Sequence, residues 1–257
     1  MLFALKLTLV PLLIAAVTLA TRRWGPRVGG FLTALPVVTG PTLCFYAIEQ
    51  GQAFGAHAAT GTLLALNAVV AYGVTYARLS LRWPWPMTLV SAWLVFLLSA
   101  GILYAVPQIP ILALTLVAGS CVIGARLLPP VSGVAPAVSH PVWDLPLRMA
   151  AAVVLVIVLT SVAGWLGPSL SGLLTPFPLA TAILAAFTHA QRGPTAVVSF
   201  FHGFIPALVT FAVFCFVLAI ALPLLPLVAA LAAALVAQLA LQAALYRRHA
   251  ATLSAAE

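Results

Sequence analysis

Nine apolar stretches fill most of this chain, each close to the roughly 20 residues a helix needs to cross the hydrocarbon of a bilayer. They run from Leu2 to Ala20, Gly30 to Ile48, Ala53 to Tyr76, Pro86 to Tyr104, Ile109 to Leu127, Leu147 to Trp165, Gly172 to Ala190, Thr195 to Ile220 and Leu222 to Tyr246. Pro223 and Pro226 mark the turn between the last two. Such a chain cannot assemble a wettable surface, because 5% of its 257 residues are charged and 64% are hydrophobic. The expected fold is an all-α polytopic membrane protein of about nine transmembrane helices, with the lipid bilayer as its first partner. Lys and Arg outnumber Asp and Glu by 11 to 3, yet they stand singly or in pairs between apolar runs. They build no basic patch, so no nucleic-acid partner is expected.

Laid on itself with an offset of 142 residues, the chain repeats. Leu5 meets Leu147, Lys6 meets Arg148, and Thr18 meets Thr160; Gly25 and Pro26 fall on Gly167 and Pro168. Gly30 then meets Gly172, Thr33 meets Thr175, Pro36 meets Pro178, Thr39 meets Thr181, Gly51 meets Gly193 and Gly61 meets Gly203. Coincident Leu is cheap in a chain so rich in it. Coincident Gly, Pro and Thr are not, since each has its own backbone or hydrogen-bonding reason for its place. The division follows: a membrane repeat over 1–106, a linking helix and loop over 107–143, and a second repeat over 144–257. Each repeat holds four helices, and the odd linking helix turns the second upside down. The expected plan is two inverted four-helix repeats.

Charge gives an independent reading of orientation. Arg22, Arg23 and Arg27 follow the first stretch, Arg78 and Arg82 the third, Arg126 and Arg148 flank the fifth-to-sixth connection, Arg192 follows the seventh, and Arg247 and Arg248 the ninth. An N-terminus outside and a C-terminus in the cytoplasm gather nearly all of them inside, with Lys6 the exception. Trp83, Trp85 and Trp143 sit beside span ends, as interfacial anchors do.

The shared motif G-P-x-x-x-G-x-L-T-x-x-P-x-x-T runs from Gly25 to Thr39 and from Gly167 to Thr181. A proline inside a helix deprives the carbonyl four residues back of its donor, so Pro36 should free Leu32, Pro41 Val37, and Pro178 Leu174. Unpaired backbone at membrane depth needs protein or water to satisfy it. Thr33, Pro36, Thr39, Gly40, Thr175, Pro178 and Thr181 are therefore the candidate substrate-binding residues, lining two broken helices near the bilayer midplane. The alternative is that Gly, Thr and Pro only permit close helix packing.

Glu49 is a candidate coupling carboxylate, or else a solvated charge at a span end; its counterpart is Gln191. Asp144 falls in the Pro-rich connection before the sixth stretch, and little buried charge is expected. His57, His189 and His202 lack the spacing of ligands, and Asn67 and Gln238 suit interhelical hydrogen bonds. Cys44, Cys121 and Cys215 read as small packing residues. No enzyme motif, no metal-ligand cluster and no cofactor site is recognisable, so neither catalysis nor a cofactor is expected.

The segment WGPRVGGFLTALPVVTG, from Trp24 to Gly40, resembles the small bacterial membrane proteins of the GlpM type, and the chain is similar to two such units fused head to tail with an added helix. The resemblance implies a bacterial inner-membrane location and a role in transport. The functional expectation is a permease or exporter of a small molecule. Its alternative, from another class, is a non-transporting subunit or accessory factor of an envelope complex.

Overall fold

In the computed structural model, residues 2–36, 39–131, 143–158 and 177–254 are described. Among them every regular element is helical: α1 (Leu2–Trp24), α2 (Pro26–Thr33), α3 (Thr39–Gln50), α4 (Gln52–Leu79), α5 (Trp85–Leu103), α6 (Pro110–Leu127), α7 (144–158), α8 (Leu179–Ala221) and α9 (Leu227–Ser254). Five of these, α4, α5, α6, α8 and α9, are long and apolar enough to cross a membrane. The turn expected at Pro223 and Pro226 is present, closed by the Leu224 and Leu225 N–H groups donating to the Ala221 carbonyl.

The second apolar stretch is not one helix. Gly25 takes a φ of 89°, which a side chain would resist, and Pro26 restarts the chain as α2, where a missing N–H costs nothing. After Thr33 the helix stops. The Leu32 carbonyl, expected to be orphaned by Pro36, instead accepts from the Leu35 N–H at 3.2 Å in a tight turn. Thr33 likewise donates back to the Gly29 carbonyl at 2.7 Å, so its hydroxyl is used within α2 and not at the break.

The eighth element bends in a related way. Gly193, at φ 77° and ψ −178°, interrupts α8, and Pro194 opens its second arm. Its sequence counterpart Gly51, at φ 93° and ψ 160°, separates α3 from α4. The two arms of α8 are thus two helices meeting at Gly193, where the sequence places the boundary between the seventh and eighth stretches.

The core lies where α2, α4 and α8 meet, with Tyr72, Tyr76, Phe200, Phe201 and Phe214 fully buried there. Among the helix pairs of the described residues, the packing of α2 on α8 is the most extensive. Its cause is a glycine on each helix: a Cβ on Gly30 would stand 1.9 Å from the Phe200 carbonyl oxygen, and one on Gly203 would stand 1.9 Å from that of Arg27. Backbone meets backbone there, as small residues allow between apolar helices.

Helix ends fall into two groups. At one, Arg22 of α1 reaches Asp144 of α7, Arg78 of α4 donates to the Leu127 carbonyl of α6 at 2.8 Å, and Phe31 of α2 packs on Tyr246 of α9. At the other, Gly55 of α4 lies against Ala47 and Leu222, and Tyr46 meets Phe54 edge-on. Arg22 and Arg78 belong to the first group, and Glu49, at the end of α3, to the second.

Candidate functional site

A buried charged cluster joins α1, α7 and the first arm of α8. Asp144 opens α7, where a carboxylate suits the positive end of the helix dipole, while Arg22 closes α1, where a cation suits the negative end. The two meet with Arg22 Nη2 donating to Asp144 Oδ2 at 2.6 Å. One turn into α7, Arg148 Nε donates to Asp144 Oδ1 at 2.9 Å, and its Nη2 donates to Gln191 Oε1 at 2.8 Å. Gln191 Nε2 also donates to Asp144, and the Phe187 ring lies 4.8 Å from the Arg148 guanidinium carbon. Asp144 is wholly buried and Arg148 nearly so. Burial pushes the Asp144 carboxyl up, but hydrogen bonds from Gln191, Arg22 and Arg148 and the charge on Arg148 outweigh it, leaving Asp144 below the usual carboxylate range.

Composition concealed this cluster. The run of prolines before Asp144 suggests a connecting segment with little buried charge, whereas the structure starts a helix there and surrounds the carboxylate with donors. One local signal was available, the i, i+4 spacing of Asp144 and Arg148, which marks an ion pair on a helix. A small cavity of about 10 Å³ adjoins the cluster, lined by Thr18, Thr21, Arg22, Arg148, Thr188 and Arg192. Thr21 spends its hydroxyl proton on the Val17 carbonyl, whereas Thr18 Oγ1 and Arg22 Nε are buried with no partner among the described residues.

Among the described residues, those of the repeated motif pack in two separate places. Pro36 is buried and its carbonyl accepts from the Gly40 N–H at 2.8 Å; Gly40 faces the Phe214 ring in the second arm of α8. Pro178 is buried as well, and its carbonyl accepts from the Ala182 N–H, also at 2.8 Å. Its neighbour Phe177 packs on Trp93 and Phe96 of α5, 5.5 and 5.4 Å between ring centres. Thr39 is half-buried and Thr181 buried, while Thr175, Val37 and Leu174 lie outside the described residues. Glu49 is exposed at the end of α3.

Other polar residues depart from expectation. Asn67 donates to the Leu64 carbonyl of its own helix. Gln238 is completely buried, and both its side-chain atoms lack a partner among the described residues. Gln242, one turn on, donates across to the Phe31 carbonyl at 3.4 Å. His202 reaches the Pro129 carbonyl at 2.9 Å; His189 lies buried against the edge of Tyr76, and His57 is exposed.

The chain matches no protein-family model, no curated protein and no solved structure. Its chemistry must be read from its own residues.

Proposed function

We propose that this chain is a bacterial inner-membrane permease or exporter of a small molecule, built from two inverted four-helix repeats joined by α6, with its N-terminus outside and its C-terminus in the cytoplasm. The observation that carries this reading is a backbone break that recurs at the 142-residue offset. α3 opens at Thr39 and α8 at Leu179, each just after a motif proline, and the Gly40-to-Pro36 bond has its counterpart in the Ala182-to-Pro178 bond; the positive φ shared by Gly51 and Gly193 falls at span ends and supports the repeat, not the path. Paired interruptions in related helices are the usual site of substrate binding in secondary transporters, because irregular backbone at membrane depth is kept where it lines a path. The resemblance to GlpM-type proteins agrees with this reading. The path would lie by Thr33, Pro36, Thr39, Thr175, Pro178 and Thr181, and alternate access would come from rocking one repeat against the other.

The test has two parts. Reporter fusions after Gln50 and Gln108 should report the outside, and fusions after Arg82 and at the C-terminus the cytoplasm; Arg82 and Gln108 on one side would end the inverted-repeat reading. Single cysteines at Thr33, Thr39, Thr175 and Thr181, in a chain freed of Cys44, Cys121 and Cys215, should react with a membrane-impermeant thiol reagent in both copies. Metabolites retained by a deletion strain would identify the solute.

One observation favours the other class of function. The close backbone crossing of α2 and α8 at Gly30 and Gly203 is what a rigid scaffold needs, and it suits a non-transporting subunit of an envelope complex. Unreactive cysteines at all four positions, with no change in metabolites, would decide for that reading.

A further inference from the structure

Ten arginines share three acidic side chains in this sequence, so most of the positive charge must be met from outside the chain. Glu49 lies at the opposite end of the bundle, Asp144 is taken by Arg22 and Arg148, and Glu257 lies outside the described residues. Folding gathers part of the excess where α4 and α6 end. Arg78 and Arg82 stand far from Arg126 in sequence, but the Arg78 Nε–H donates to the Leu127 carbonyl at 2.8 Å, one residue from Arg126. Arg82 follows in the turn after α4, where its backbone N–H donates to the Leu79 carbonyl at 3.0 Å. All three side chains are exposed, and no carboxylate pairs with any of them among the described residues. Residues 132–142, which continue from α6, contain no acid. Other arginines are already engaged, Arg22 and Arg148 with Asp144, and Arg27 and Arg192 with further groups.

The surroundings define the counter-charge that fits. Trp83 and Trp85 stand exposed between Arg82 and the body of α5, and indole rings at span ends settle at the headgroup level of a bilayer. Leu81 and Met87 flank them in sequence and are exposed too, as are Ile123 and Leu127 in the last turns of α6. A dissolved anion answers the charge alone, whereas a lipid answers the charge and covers the apolar groups. The bond to Leu127 uses only the Arg78 Nε–H, and a guanidinium has further N–H donors in a planar fork that matches a phosphodiester. We propose that the ends of α4 and α6 hold the headgroup of an anionic phospholipid, its phosphodiester among Arg78, Arg82 and Arg126 and its chains over the apolar residues beside them. The site requires that the chain lie in a bilayer and does not depend on whether it transports.

The probes are phosphatidylglycerol and phosphatidylcholine with the same acyl chains, added in rising mole fraction to the purified full-length protein in neutral detergent. Thermal unfolding should show a saturable upward shift with phosphatidylglycerol that phosphatidylcholine does not give. Arg82→Gln and Arg126→Gln change exposed side chains with no carboxylate partner, so each should fold and leave the transition in phosphatidylcholine unchanged. Each should weaken the apparent affinity for phosphatidylglycerol about fivefold, the factor one basic side chain contributes near an anionic surface, and the two together about twenty-five-fold. Arg23→Gln, exposed at the end of α1, is the control and should leave that affinity unchanged. Equal shifts with the two lipids would overturn the proposal, as would a phosphatidylglycerol response that survives the double substitution. Equal weakening by Arg23→Gln would overturn it by showing diffuse attraction without a site. An equal shift from glycerol 3-phosphate, which has the phosphate without the chains, would overturn the assignment to a lipid.

Discussion

The crossing of α2 and α8 makes a quantitative demand. A Cβ placed on Gly203 falls 1.9 Å from the Arg27 carbonyl oxygen, whereas ordinary contact begins near 3.4 Å, so Gly203→Ala must drive the helices apart by about 1.5 Å. A gap of that size forfeits much of the dispersion energy along the contact, and overpacking of this kind costs about 1–3 kcal/mol or more. Gly30→Ala makes the same demand from the other side, against the Phe200 carbonyl. Because both clashes are relieved by one and the same separation, the double variant should cost well under the sum of the two single variants. The discrepancy should approach the cost of one of them, a coupling of about 1–3 kcal/mol. Unfolding in a denaturing detergent, followed by tryptophan fluorescence, gives the four stabilities of this cycle. Gly119→Ala is the control, since it is exposed on α6 and a Cβ there meets nothing within 4 Å; it should be neutral or slightly stabilising. Additive costs at Gly30 and Gly203 would mean that each site adjusts locally, and would refute a shared backbone crossing.

Asp144→Ala should destabilise the protein by about 3–5 kcal/mol, because it leaves Arg148 buried without its counter-charge, whereas Arg22→Ala should cost less, since Arg22 keeps some exposure; a loss below about 1 kcal/mol for Asp144→Ala in the same unfolding assay would count against the cluster. The native carboxyl lies below its usual value near 3.8, so its contribution is complete above that value and disappears as pH falls through the lower native one; the acid limb of a stability profile should therefore flatten in Asp144→Asn. Glu49→Gln should leave stability and function unchanged, because Glu49 is exposed and the aligned residue is already Gln191; loss of function in a folded variant would make it a coupling group.

Local features of the fold were readable because their causes are local. Pro36 and the Gly40–Pro41 pair announced the interruption between α2 and α3, and Pro223 with Pro226 announced the turn before α9, since each proline acts on its own few residues. Partner choice was not readable. Gly30 and Gly203 stood out as members of the repeat, yet nothing in the alignment says that they meet each other. Arg22 and Asp144 are separated by 122 residues, and Asp144 sits after a run of prolines that suggests loop, so only the folded chain shows the ion pair. The fate of the Leu32 carbonyl escaped for a different reason: proline removes a donor, but a tight turn supplied another from Leu35.

At the 142-residue offset Arg148 and Gln191, bonded to each other, align with Lys6 and Glu49, and Arg22, which completes the cluster, aligns with the neutral Gly164. Gln238 of α9 aligns with Phe96 of α5, which packs edge-on against Phe177. The Gln238 amide is fully buried, with neither its oxygen nor its nitrogen satisfied among the described residues. Such a group costs about 1–3 kcal/mol relative to an apolar one of the same shape, so Gln238→Met, which conserves length and volume, should raise stability in the unfolding assay. If transport is measurable by then, the same variant separates two roles. A more stable protein that has lost transport places the Gln238 amide on the solute's route, and a more stable protein with transport intact makes it a packing compromise. A less stable variant would show that the amide has a partner after all and would refute the argument from its isolation.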